Sequence, residues 1–155
     1  MRSRGFTLVE MLVVLAMMGV LAAAARPLLE IATQRAREQE LRAGLRTLRG
    51  AIDAYKRAAE AGNIAQAPDD SGYPPNLPAL INGVRDAKSA DGRKLYFLRR
   101  LPRDPFADNA LPPEQTWGLR SADSPPDEPR AGRDVFDVYS RSERRAIDGT
   151  RLGDW

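Results

Sequence analysis

The chain contains no cysteine and no histidine. Without cysteine the fold can use neither disulfides nor thiolate metal ligands, and cysteine usage says nothing of the compartment. Without histidine there is no Ser-His-Asp or Cys-His centre and no imidazole zinc site. Any chemistry would fall to carboxylates, Lys, Tyr, Ser and Thr. Charge of one sign is scarce too, since 24 basic residues face 21 acidic ones for a formal net charge of +3. Two of the basic groups are Arg2 and Arg4, and a chain that lost them would carry 22 against 21, a charge of +1. Bulk charge therefore gives no case for nucleic-acid binding. Arg outnumbers Lys 21 to 3, which we read as composition bias rather than recognition. At 155 residues there is room for one domain and little more.

What the chain does have is a long apolar run, Phe6 to Ala25, whose 20 residues suffice to span about 30 Å of hydrocarbon as a helix. One carboxylate, Glu10, lies inside it. An Asp, Lys or Arg at the centre of a membrane helix costs about 2.5–3.5 kcal/mol, and a Glu near one end costs less yet still selects against itself. A cut after Gly5 would discard Arg2 and Arg4 and leave Phe6 as a cationic amino terminus four residues before Glu10, about one helical turn away. Within one chain, or between the terminus of one copy and Glu10 of another, the two charges would neutralise each other in a low-dielectric medium. The rival reading is an ordinary secretory signal, for which Ala22-Ala23-Ala24-Ala25 supplies small residues at a cut site. A conventional apolar core has no use for Glu10, and the run is long enough to stay in the membrane.

Arg4-Gly5-Phe6-Thr7-Leu8-Val9-Glu10 followed by an apolar run is similar to the class III signal of the type IV pilin superfamily, whose members are cut after the Gly and N-methylated on the next residue. The resemblance implies processing between Gly5 and Phe6, with Phe6 methylated, and an assembly role for Glu10. Pro27 falls where pilins often carry a helix-kinking proline, and the resemblance implies an assembly role for it as well.

From Leu28 to Ala61 the pattern is helical. Leu41, Leu45, Leu48, Ile52 and Tyr55 mark one apolar face, while Arg42, Arg46, Arg49, Asp53, Lys56 and Arg57 occupy the others. Together the two stretches predict a spine of more than 50 residues, about 80 Å, with a bend rather than an end at Pro27. Gly62-Asn63 offers the terminator. Ala65 to Pro75 reads as a loop, Asn76 to Val84 as a short helix, and Thr116 to Arg120 and Val135 to Ser140 as strands of a small antiparallel sheet laid on the helix. Gly19 and Ala23 have the spacing that lets membrane helices approach closely. Trp117 reads as a sheet core residue and Trp155 as a terminal packing residue; Glu38, Glu40 and Arg42 read as a solvated face.

Three downstream pieces resemble the major pseudopilin of type II secretion systems: Tyr73-Pro74, the run Leu98-Arg99-Arg100-Leu101-Pro102-Arg103-Asp104-Pro105-Phe106, and Asp134-Val135-Phe136-Asp137-Val138-Tyr139-Ser140. The stretch after Asp104-Pro105 departs from the family's usual aromatic and Gly-Asn-Pro. The absent cysteine pair leans away from type IV pilins proper. Major pseudopilins bind Ca²⁺ through a loop after their last strand, and in Ser140 to Trp155 the candidate ligands are Asp148 and Asp154. Arg141, Arg144, Arg145 and Arg151 compete for them, so solvated charges and salt bridges are the favoured reading of that loop, and no cofactor is expected.

The resemblance implies an α+β, pilin-like fold: leader 1–5, membrane segment 6–25, and a periplasmic domain 26–155 whose helix runs to about 61. It implies a non-enzymatic subunit, single-pass in a bacterial inner membrane, that self-associates into a helical filament driving protein export. Implied partners are a prepilin peptidase, minor pseudopilins, an inner-membrane assembly platform, a cytoplasmic ATPase and a secretin. A minor pseudopilin or type IV pilus subunit would share every N-terminal feature, and an anchored periplasmic binding domain or enzyme is the remaining class.

Overall fold

The computed structural model describes residues 7–155, so the expected leader and the Gly5–Phe6 processing site lie outside the described residues. One helix dominates. α1 (Leu8–Glu60) runs for 53 residues, and its sequence is rich in Ala, Leu, Met, Arg and Glu, which lose little side-chain freedom in a helix. Pro27 sits inside α1 and does not end it. The expected terminator is where the sequence put it. Gly62 adopts φ 72°, its N–H donates to Ala59 O at 2.9 Å, and the Asn63 N–H donates to Ala58 O at 2.9 Å. Those two bonds form a Schellman motif, which glycine makes without steric cost at positive φ.

The chain divides into two units, residues 1–36 and residues 37–155. In the first, the described apolar side chains of α1 are bare: Leu8 is 77% exposed, Val13 47% and Ile31 45%. In the second, α1 turns one face inward. Leu41, Leu45, Leu48, Ala51, Ile52, Tyr55 and Ala59 are buried at the spacing of one helical stripe. They pack into a core with Leu77, Leu80, Leu101, Trp117, Val135, Val138 and Leu152.

The remaining elements are short. α2 (Ala79–Asn82) is shorter than the predicted 76–84 helix. β1 (Val84–Arg85) pairs antiparallel with β2 (Lys94–Leu95), and β3 (Trp117–Arg120) pairs antiparallel with β4 (Asp137–Ser140), with Trp117 opposite Ser140 and Leu119 opposite Val138. The expected small antiparallel sheet is thus present as two two-stranded sheets. Neither pair would be stable alone, and each is held by a core that α1 supplies. The fold is α+β and pilin-like, a long helix with small antiparallel sheets.

Two close approaches explain particular residues. The Trp117 ring lies over Gly44 of α1, where an added Cβ would meet ring atoms at 3.2 and 3.3 Å, so glycine in mid-helix lets the indole reach the spine. The indole N–H then donates to Pro102 O at 2.9 Å, which satisfies a polar group that is otherwise fully buried.

Candidate functional site

The first candidate is the start of α1. Thr7 precedes the helix and its Oγ1 accepts the Glu10 N–H at 3.2 Å, while Met11 N–H donates to Thr7 O at 3.2 Å. Thr7 is therefore the N-cap and Glu10 the third helical residue, the Thr-x-x-Glu spacing of a capping box. Sequence reasoning read Glu10 only as a buried charge in search of a partner. The capping spacing was visible three residues upstream and adds a local role. A carboxylate in the first turn is also favoured by the helix dipole. From Leu8 to Ala25 Glu10 is the sole charged residue. α1 is long and apolar enough to cross a membrane, by length and composition.

The second candidate is the segment after β4. Asp148 Oδ1 accepts the Thr150 N–H at 2.9 Å and the Thr150 hydroxyl at 2.6 Å, and Oδ2 faces Arg42 Nη2 at 3.4 Å. The Thr150 hydrogen bonds, with the Arg42 charge, hold its carboxyl below the usual range. Asp154 belongs to the 3-10 turn Leu152–Asp154, where its N–H donates to Arg151 O at 3.1 Å. Among the described residues no group of three or more His, Cys, Asp or Glu could hold a metal ion.

One expectation on this flank is corrected. Glu38 is not a solvated charge: it is 8% exposed, and its Oε1 accepts the Ile147 N–H at 2.8 Å. The segment after β4 lies along α1 here and covers Glu38, a contact between residues 109 apart in sequence that helical periodicity cannot show. Arg42 is also engaged, with its guanidinium 4.0 Å above the Trp155 ring.

The structure brings together the three downstream motifs around β4. Pro74 O accepts the Val135 N–H at 2.8 Å, joining Tyr73-Pro74 to the last motif, and the Tyr73 ring meets Phe136 edge-on with centroids 5.0 Å apart. Asp104 is 2% exposed; its Oδ1 accepts the Phe106 N–H at 2.8 Å and its Oδ2 accepts the Ser140 hydroxyl at 2.5 Å. Asp134 Oδ1 accepts the Ser121 hydroxyl at 2.7 Å and the Ala122 N–H at 2.9 Å. Burial alone would raise the Asp134 pKa. The nearby Ser71 side chain, the hydrogen bonds from Ala122 and Ser121, and the Arg133 charge outweigh it and hold the carboxyl below its ordinary value. Arg49, read from sequence as one of the polar faces of the helix, reaches Asp137 Oδ1 at 2.7 Å, Val138 O at 3.1 Å and Trp155 O at 2.6 Å. These carboxylates and this arginine are structural ties; the motif residues have jobs in joining loops to β4.

Residues 1–25 match the prokaryotic N-terminal methylation motif. The chain is 33% identical over 112 residues to type II secretion system core protein G of Klebsiella pneumoniae, covering 70% of this chain and 72% of that one. Proteins of the same description from Vibrio cholerae and Aeromonas hydrophila are each 29% identical over 111 residues, the first covering 70% of this chain and 68% of its own length, the second 69% and 70%. No solved structure matches significantly. The methylation motif, the long helix with small sheets, and identity at this level across most of both chains agree, and the chain belongs to the type II secretion system core protein G family of pseudopilins.

Proposed function

We propose that the chain is a subunit of a type II secretion pseudopilus. Residues 1–5 are a leader removed between Gly5 and Phe6, Phe6 is N-methylated, residues 6–25 cross the inner membrane once, and residues 26–155 lie in the periplasm. An assembly machine then draws copies from the bilayer into a helical filament that drives protein export. Family membership makes the role structural and membrane-associated, not enzymatic.

The observation that carries this reading is the bare apolar stretch of α1 with Glu10 as its only charge before Arg26. A rod of that kind is stable in hydrocarbon and equally stable bundled with copies of itself, so transfer between the two is not strongly uphill. Contacts that repeat head to tail without closing a ring generate a filament. Glu10 then pairs with the methylated amino terminus of a neighbour, which offsets the cost of an ionised carboxylate away from water. Pro27 weakens the hydrogen bonding of α1 locally and gives the rod a place to adjust on packing. The partners that follow are a prepilin peptidase, an inner-membrane platform, a cytoplasmic ATPase, minor pseudopilins and an outer-membrane secretin.

Intact-mass measurement of the membrane-extracted protein tests the processing step. The expected mass is that of residues 6–155 plus one methyl group. A mature terminus at Arg26 would overturn the proposal.

A further inference from the structure

The segment after β4, residues 141–155, buries few apolar side chains, chiefly Ala146 and Leu152. Ordering it costs backbone entropy that two such residues do not repay, so polar groups must hold it. Resemblance to major pseudopilins puts Ca²⁺ in that role. The donor set here does not fit one. Calcium takes six to eight oxygens. Several oxygens of this turn already face N–H and O–H donors: Ala146 O accepts from Gly149 N–H at 2.9 Å, Thr150 O from Ala146 N–H at 2.8 Å, and Asp148 Oδ1 from Thr150 twice. Positive charge is present already. Arg145 Nη1 donates to Gly149 O at 2.9 Å inside the turn, and Arg42 faces Asp148 Oδ2 from α1.

We propose that Arg42, Arg49 and Arg145 fix the segment after β4 in place of a metal ion, with Arg49 as the principal tie. The Arg49 guanidinium donates at once to Asp137 Oδ1, Val138 O and Trp155 O, at 2.7, 3.1 and 2.6 Å. One planar group thus binds α1 to β4 and to the far end of the segment. A lysine ammonium is a point charge on a flexible stem and cannot reach those three acceptors in the same plane. Arg42 adds a second fastening, over Trp155 and against Asp148, and Glu38 a third, through the Ile147 N–H. The fold of residues 37–155 therefore closes without a divalent cation.

Hydrogen exchange over residues 141–155 and the melting midpoint, measured on the full chain in detergent micelles, test this with Ca²⁺ as the probe. In millimolar Ca²⁺ and in chelator the wild type should exchange alike and melt within about 2 °C, whereas a site filled at 100 times its Kd would raise the midpoint by about 5 °C or more. Arg49→Lys should lower the midpoint by about 5 °C and speed exchange at Leu152 and Asp154 in both buffers. Asp148→Asn keeps the acceptor for Thr150 and should change little. Arg42→Gln, at a more exposed position, should loosen residues 148–155 without unfolding the core. Calcium protection of this segment that is lost in Asp148→Asn would overturn the proposal. So would wild-type exchange in both arginine variants.

Discussion

The two parts of α1 have the same backbone and opposite surfaces. Between Leu41 and Ala59 an apolar stripe is covered by Trp117, Leu77, Val138 and other residues of the same chain, while charged residues such as Arg46, Asp53 and Arg57 face water. Between Leu8 and Ile31 the described apolar side chains point in every direction and stand exposed. A helix with one apolar stripe is finished by its own domain; a helix apolar all round is finished only by lipid or by other helices. The difference separates what the chain needs to fold from what it needs to work. Leu48 and Trp117 belong to the first set, and the proposed assembly role would put Glu10 in the second.

The sharpest way to break that separation is Glu10→Gln. A glutamine keeps a side-chain acceptor for the N-terminal cap but removes the charge. The protein should remain membrane-inserted with an unchanged melt of residues 37–155, while filament assembly and secretion are lost. Normal filaments from this variant, seen by electron microscopy of sheared material, would leave capping as the role of Glu10.

Trp117→Ala should do the reverse. Losing a fully buried indole above Gly44 removes the largest side chain of the core and should cost about 3–5 kcal/mol, enough to unfold much of a marginal domain. Membrane insertion, measured by carbonate extraction, should be unaffected. An intact melt would mean that the sheets, not the indole contact, hold the domain to α1.

A smaller effect comes from pH. The native Asp134 pKa lies below its unfolded value, so the carboxylate contributes stability that is complete above the ordinary carboxylate range near pH 4. As pH falls from about 4 through the native value the unfolded chain binds the proton first, and that stability is lost. Asp134→Asn should flatten the melting midpoint in that window. A variant with the wild-type acid profile would assign the pH dependence to other carboxylates.

The smallest expected change is Arg42→Ala, at most about 1 kcal/mol, because Arg42 and Asp148 are each about half exposed at 49% and 52%. Added salt should reduce even that difference, which a denaturant titration at two ionic strengths would read.

Much of this was legible in the sequence because it is local. The stripe from Leu41 to Tyr55, the stop at Gly62-Asn63, the core place of Trp117 and the strands ending at Arg120 and Ser140 depend on spacing or on neighbours a few residues away. The N-terminal methylation motif was legible for another reason, since it is written in one linear segment; residues 1–6 lie outside the described residues. Glu38 was misjudged, and the partners of Arg49 were not foreseen. Glu38 continues the spacing of the buried stripe, three residues before Leu41 and seven before Leu45, while Arg49 lies beside that stripe, and contacts with Ile147, Asp137 and Trp155 give them partners.

The sequence by itself determined one helix with two kinds of surface, the place where it stops, and the carboxylate set in its apolar end, because periodicity, capping and hydropathy act within a turn or two of chain. The tertiary structure decided which charges are ties and which are solvated. It put Asp104 under Ser140, Glu38 beneath Ile147, and three acceptors around Arg49. Those choices depend on where a distant strand comes to rest, and the energy of a charged group is set by the dielectric and partners it meets there rather than by its neighbours in sequence.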